Sequence, residues 1–287
     1  MLKKIMVISC ATILGMMPSA VYADDIALSV RTEGSAKDLG IEITGARIDA
    51  DNIRHFYPKE GQAYTVTKTN VRDKAEGIIL QTLEAGAEVM IKGYDGDWAE
   101  TDQGYIYAGL LASRYKEKRQ IHAYDMESLK YEGLAYRYME NLPGVLETLA
   151  ETTPITLKAS KDAIKERDSS FTDFTSGYTE SYSDHSEITV WANTVYMEDS
   201  LLHELGHVLD HNVLSAGQYS NTKEWEIAYQ DEAQEVYEKL SGSRHNCGNS
   251  EEYFAEAVKL YVLDNGQLKE CAPDTYKIME QLLTDKE

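Results

Sequence analysis

Residues 203 to 207 read His-Glu-Leu-Gly-His, and this stretch constrains the chain more than any other. On an α-helix His203 and His207 fall one turn apart on one face, so both imidazoles can reach a single tetrahedral metal while Glu204 reaches water beside it. This is the HExxH signature of zinc proteases. The flanking residues favour a helix. Glu198, Asp199 and Ser200 offer capping and negative charge at its positive end, and Leu201, Leu202, Leu205, Val208 and Leu209 form an apolar stripe, with small Gly206 inside it.

An open catalytic metal site needs a third protein ligand. The metzincin continuation fails, because Val208 to Val213 supplies neither the glycine nor the third histidine where they are needed. Asp210, His211, Glu224 and Glu226 are ligand candidates on spacing alone. The stronger candidate lies in Asn249-Ser-Glu-Glu-Tyr-Phe-Ala-Glu-Ala257, read as a second helix that carries Glu252 and Glu256 one turn apart on a common face. The alternative is that Asn249 caps this helix and Glu252 is its capping-box glutamate.

HELGH paired with Glu252-Tyr-Phe-Ala-Glu256 resembles the catalytic domain of anthrax lethal factor and the related secreted Pro-Pro endopeptidases. The resemblance covers roughly Met126 to the C-terminus, and Cys271 to Met279 is similar to the family's closing helix. It implies one catalytic Zn2+ held by His203, His207 and Glu252, with Glu204 as general base and Glu256 orienting a ligating histidine. It also implies a protein or peptide substrate with a preference for proline. The family places a tyrosine seven residues before its glutamate ligand to stabilise the oxyanion, whereas this chain has His245 there. An imidazolium can donate the same hydrogen bond; another of the twenty tyrosines in that role, or an ordinary surface role for His245, are the alternatives.

Upstream, Ser186 to Ala192 alternates like a strand. Glu187, Ile188, Thr189, Val190 and Trp191 are expected to form the edge strand that holds an extended substrate in most zincins; the alternative is a buried strand without substrate contact. Residues 169 to 186, rich in Ser, Thr, Asp and Gly, read as a loop over the cleft.

The N-terminus reads as an export signal: Lys3 and Lys4, an apolar run from Ile5 to Met17, and small Ala23 at the cleavage position. Val7-Ile-Ser-Cys10 superficially resembles a lipoprotein box, but the apolar run continues past Cys10. The protein is therefore expected outside the cell, secreted or associated with the wall, as a monomer without a membrane span. Removing 23 of the 287 residues leaves 264 and takes the net charge from −21 to −23, which argues against nucleic acid as a partner. Cys247 and Cys271 then remain, an even pair in an oxidising compartment, expected as a disulfide; the alternatives are free thiols or Cys247 as a metal ligand.

Residues 24–62 carry strand-like runs near Ile26 to Val30 and Ile41 to Ile43 with no readable role. Residues 63–112 read as short strands with Thr69-Asn-Val-Arg72, a turn at Asp95-Gly96, then Trp98 and Gly104-Tyr-Ile-Tyr107. This pattern resembles a bacterial SH3 domain, which implies a cell-wall component as a partner; a structural spacer is the alternative. Ala112 to Gln120, with Lys116, Lys118 and Arg119, reads as a charged linker, and a helical pattern runs from Met126 to Thr152 with a break at Pro143-Gly144. The expected fold is α+β: a small all-β SH3-like barrel, then over residues 113–287 a mainly helical zincin-type domain with a small sheet. Two functions compete, an exported zinc endopeptidase and a non-catalytic wall-binding or interaction protein acting through the SH3-like unit.

Overall fold

A computed structural model describes residues 6–11, 57–168, 171, 175–214 and 217–284. Most of the expected signal, and the strand-like runs at 26–30 and 41–43, lie outside the described residues. Residues 6–11 form strand β1 (Met6–Ala11), which joins the second of two sheets.

The first sheet is built from runs of β-branched and aromatic residues cut by glycine turns. Its strands are β2 (Gly61–Thr65), β3 (Thr69–Arg72), β4 (Ile79–Leu83), β5 (Glu88–Asp95), β6 (Trp98–Thr101), β7 (Tyr105–Tyr107) and β8 (Leu111–Ala112). All pairings are antiparallel, in the order β4-β3-β7-β6-β5-β2-β8. The β5–β6 turn falls at Gly96-Asp97, one residue beyond the expected Asp95-Gly96, and Gly96 has φ +61°, a left-handed conformation that glycine adopts without steric cost. Val71, Val89, Ile91, Ala99 and Ile106 point inward to a shared core.

The expected linker is not loose. The Arg119 guanidinium is buried and donates to the carbonyls of Tyr136, at 3.2 Å, and Met139, while it pairs with Glu147 at 2.7 Å. It thereby adds a charged donor to carbonyls at the C-terminal end of α1 (Glu132–Tyr138) and its cap, Met139. A β-carbon added at Gly133 would lie 2.2 Å from the Leu111 carbonyl oxygen, and one at Gly109 2.5 Å from that of Lys130. Backbone thus packs on backbone where the first sheet meets α1, and one apolar cluster runs from Val71 and Ile106 through Leu134 to Val208.

The second sheet has the order β1-β11-β12-β10-β9, with β9 (Ile121–Ala123), β10 (Ile155–Lys158), β11 (Thr175–Ser181) and β12 (Ser186–Trp191). β9, β10 and β12 run parallel, whereas β11 runs antiparallel to both β12 and β1. Two expectations are corrected here. The segment expected at the edge, residues 187–191, is interior: β12 is bonded on both sides, Ile188 and Val190 sit in the core, and the Trp191 indole donates to the Ala159 carbonyl. Much of the expected loop at 169–186 is instead β11, buried at all seven positions.

Helices complete the fold: α2 (Gly144–Thr152), α3 (Lys161–Lys165), α4 (Met197–Asn212), α5 (Lys223–Val236), α6 (Ser250–Cys271) and α7 (Pro273–Leu283). Together with the sheets they make an α+β protein. Trp225 of α5 meets Tyr253 and Phe254 of α6 with ring centroids 5.2 and 5.0 Å apart, and burial of each such ring contributes about 2–3 kcal/mol. The Glu232 carboxylate caps α7, accepting from the amides of Asp274 and Thr275 at 3.0 and 2.8 Å. Among the described residues no helix is long and apolar enough to cross a membrane.

Candidate metal centre

Helix α4 carries Glu198 and Asp199 in its first turn and buries its length from Met197 to Asp210, with the exception of Glu198 and Asp199. His203 and His207 therefore lie in the interior, one turn apart, with ring centroids 4.9 Å apart and planes at 78°. Helix α6 starts at Asn249, whose Oδ1 accepts from the amides of Glu251 and Glu252. Asn249 caps the helix as expected, yet the Glu252 side chain turns to the histidines.

Glu252 Oε2 lies 3.2 Å from His203 Nε2 and 3.8 Å from His207 Nε2. Ligand atoms of His203, His207 and Glu252 all lie within 4.8 Å of one another, and among the described residues these three make up the group able to hold a metal ion. The fit is supported by His207, which is fully buried and makes no hydrogen bond through either ring nitrogen. An unsatisfied buried nitrogen costs about 1–3 kcal/mol, which coordination would offset. Burial also holds the His207 imidazolium pKa down to about 3, so the ring is neutral at pH 7, as a ligand must be. Burial pushes the Glu252 carboxyl up, but His203, His207 and His245 outweigh it and hold it below the usual range.

The helices approach closely enough for this because Gly206 faces Ala255. A β-carbon at Gly206 would lie 2.6 Å from the Ala255 α-carbon. Glu204 is fully buried on the opposite side, toward the sheet, and its Oε2 accepts from Thr179 Oγ1 at 2.7 Å. Beside it, Gly177 of β11 leaves room that a β-carbon would take, 3.0 Å from Glu204 Oε1.

Glu256 receives His203 Nδ1 at 3.3 Å, Asn246 Nδ2 at 2.9 Å and Lys259 Nζ at 2.7 Å. Burial pushes its carboxyl up, but Lys259 and His203 more than offset this and hold it well below the usual range. His245 Nε2 stands 3.6 Å from Glu252 Oε1 with 28% of its side chain exposed. The remaining candidates are engaged elsewhere. Asp210 accepts from the Ser220 amide and hydroxyl, His211 faces Glu251 at 3.7 Å, Glu224 accepts from the Tyr219 hydroxyl, and Glu226 from Gln230.

Cys247 and Cys271 correct the expected disulfide, since both are free buried thiols. Cys247 precedes α6 and Cys271 is its last residue; the helix bends at Asp264, and both thiols lie in one apolar core without a bond between the sulfurs. Burial pushes the Cys247 thiol up to about 12, leaving it protonated and a poor metal ligand. Four residues of the site were missed from sequence: Gly177, Thr179, Asn246 and Lys259. Lys259 had a usable signal, since residues 252, 256 and 259 share one helical face.

The family model described as anthrax toxin lethal factor, N- and C-terminal domain, matches residues 148–282. No curated protein matches the chain. Among solved structures, the chain is similar to the Pro-Pro endopeptidase PPEP-2 from Paenibacillus alvei, with 20% identity over 56% of this chain and 96% of that one, and a TM-score of 0.38. The matched segment holds both histidines of HELGH, Glu204, Glu252 and Glu256, so the similarity spans the candidate metal centre.

Proposed function

We propose that the protein is an exported, zinc-dependent metallo-endopeptidase. One observation carries this reading: three buried ligand atoms from two helices converge, and the residue next in sequence to the first of them, Glu204, is a buried carboxylate outside the set. Two imidazoles and one carboxylate suit zinc better than magnesium or calcium, which prefer oxygen ligands throughout. When bound, the ion supplies a Lewis acid that acidifies water and polarises a carbonyl. His203, His207 and Glu252 would hold it.

The chain's own residues do the rest. Glu204 accepts a proton from the attacking water and returns it to the leaving amine nitrogen. The Thr179 hydroxyl fixes one carboxylate oxygen of Glu204, so the base keeps a single orientation. His245, in the position of the family's tyrosine and partly open to solvent, donates a hydrogen bond to the oxyanion.

The substrate is an extended peptide laid antiparallel on β11. The outer edge of that strand accepts such a partner in this structure, where β1 pairs with it from Met6 opposite Ser181 to Ala11 opposite Thr175. Removal of the export signal takes β1 away and frees this edge beside Glu204. The N-terminal sheet, with Arg72 over the Trp98 ring at 5.5 Å, serves as the SH3-like unit that holds the enzyme to a cell-wall component.

The test is cleavage-site mass spectrometry of a diverse peptide library, run with the zinc-loaded mature protein and with Glu204→Ala. Cleavage by the former alone, with equal zinc content in both, is expected. Undiminished turnover by Glu204→Ala would overturn the assignment of the base.

A further inference from the structure

Behind His203 lies a buried polar chain that the ligand set itself does not explain. The Nδ1 of His203 meets Glu256 Oε2, which also accepts from Asn246 Nδ2, while the other oxygen of Glu256 accepts from Lys259 Nζ. Asn246 is in turn held by Ser243, whose hydroxyl donates to Asn246 Oδ1 at 2.8 Å and accepts from the Asn246 amide at 3.2 Å. Glu256 is fully buried, Asn246 is 3% exposed and Lys259 is 9% exposed.

A buried lysine and carboxylate are a poor way to stabilise a fold, because desolvation of both charges consumes most of their attraction. Apolar residues of similar volume would usually serve as well. What a hydrogen-bonded pair offers, and an apolar pair does not, is a fixed carboxylate plane. Here one edge of that plane is taken by Lys259 and the other is shared by Asn246 and the imidazole.

We infer that Lys259 and Asn246 are positioning residues for the metal centre: they clamp Glu256 from both sides so that it fixes the ring orientation of His203 and aims Nε2 at the ion. The inference rests on the metal-centre reading above and extends it one shell outward, to residues from two segments. The Asn246 contact has a second consequence. It pins the turn that carries His245, so the ligand and the oxyanion donor are held by one network.

The experiment measures zinc affinity by competition with a chromophoric chelator, and the visible spectrum of the cobalt-substituted protein, for Lys259→Met, Asn246→Ala and His203→Ala. Thermal midpoints of the metal-free proteins report structural damage separately. Asn246→Ala leaves no buried charge unpaired and is expected to fold with a near-native midpoint, yet to bind zinc about 10–100-fold more weakly with an altered cobalt spectrum. Lys259→Met is expected to weaken zinc by a similar factor. Native zinc affinity and an unchanged cobalt spectrum in Asn246→Ala would overturn the inference, whether or not Lys259→Met folds. Native zinc affinity in His203→Ala would instead overturn the metal centre, so the two failures are distinguishable.

Discussion

Gly206→Ala sets two ordinary effects against each other. In an isolated helix the change should stabilise by about 1 kcal/mol, because alanine loses less backbone entropy than glycine on folding. In this fold the new methyl would meet the Ala255 α-carbon at 2.6 Å, its carbonyl oxygen at 2.9 Å and its β-carbon at 3.1 Å. Ordinary contact begins at 3.4 Å, so the nearest pair falls 0.8 Å short. Two of the three atoms belong to backbone, so no rotamer change relieves the clash, and α6 must retreat. Overpacking of this kind costs about 1–3 kcal/mol, here near the upper end, which leaves a net loss of about 2 kcal/mol. The retreat should also be felt at the metal, since Ala255 lies between Glu252 and Glu256, and ligand distances tolerate only about ±0.2 Å. Zinc affinity is expected to fall at least about tenfold. Gly266→Ala provides the internal control: Gly266 is an exposed residue of the same helix, and its added β-carbon meets nothing nearer than 3.8 Å. Urea denaturation of the metal-free proteins should show Gly266→Ala at or above wild-type stability and Gly206→Ala below it. If both variants are stabilised alike, close helix packing is not what the glycine serves.

Three further outcomes follow from named contacts. Glu252→Ala should weaken zinc binding by orders of magnitude while Glu224→Ala leaves it unchanged, because the Glu224 carboxylate is engaged with Tyr219 outside the ligand group; equal affinities in an equilibrium titration would refute the choice of ligand. Gly177→Ala would put a methyl 3.0 Å from Glu204 Oε1, so turnover of a peptide found in the library should drop about tenfold with zinc content unchanged, and loss of zinc instead would show the methyl acts on the ligands. Glu132 is buried with Oε1 bonded to the Ala123 amide and no hydrogen bond at Oε2, and burial raises its carboxyl above the ordinary value. The folded state therefore holds its proton to higher pH than the unfolded state, so this group's contribution is complete below the unfolded pKa and is lost as pH rises through the folded one. Glu132→Gln should accordingly stabilise by on the order of 1 kcal/mol at pH 8 and by almost nothing at pH 4, as read from thermal midpoints; equal shifts at both would exclude the buried charge as the cause.

The residues that announced themselves in the sequence were those whose geometry is local. One turn of helix brings His203 to His207 and Glu252 to Glu256, and Asn249 marks where α6 begins, so both halves of the metal centre were legible from spacing. Strand β3 coincides with Thr69-Asn-Val-Arg72, and the β5–β6 turn lies within one residue of Asp95-Gly96, because turn chemistry is also local. Strand β11 was not legible, for a physical reason. Thr175-Ser-Gly-Tyr-Thr-Glu-Ser181 has the composition of a loop, yet its polar groups are satisfied inside the protein: Thr179 by Glu204, Ser176 by Ser200, Glu180 by Arg167 and Ser181 by Ser186. A period-two reading assumes that polar residues face water, and here they face helix α4 and neighbouring strands. Arg119 misled in the same way, since its charge read as a solvated linker while its guanidinium serves buried carbonyls.

This division between local and distant determines how the centre can fail. The ligands depend on contact between α4 and α6, with Gly206 against Ala255 and Glu256 behind His203. Glu204, the proposed base, depends on a different neighbour, since Thr179 and Gly177 of β11 set where its carboxylate points. The proposed function therefore puts metal affinity and turnover under the control of separate surfaces of one helix. Damage at the α4–α6 face should remove both, because without the ion there is nothing for Glu204 to assist. Damage at the β11 face should remove turnover alone. The pair Gly206→Ala and Gly177→Ala samples these two faces with the same added methyl, so its effect on zinc and on cleavage separates holding the metal from using it. On the proposed reading, an intact HExxH motif and glutamate are necessary for hydrolysis but not sufficient. A chain that keeps all four residues and crowds β11 with a branched side chain at position 177 would bind zinc and cleave nothing.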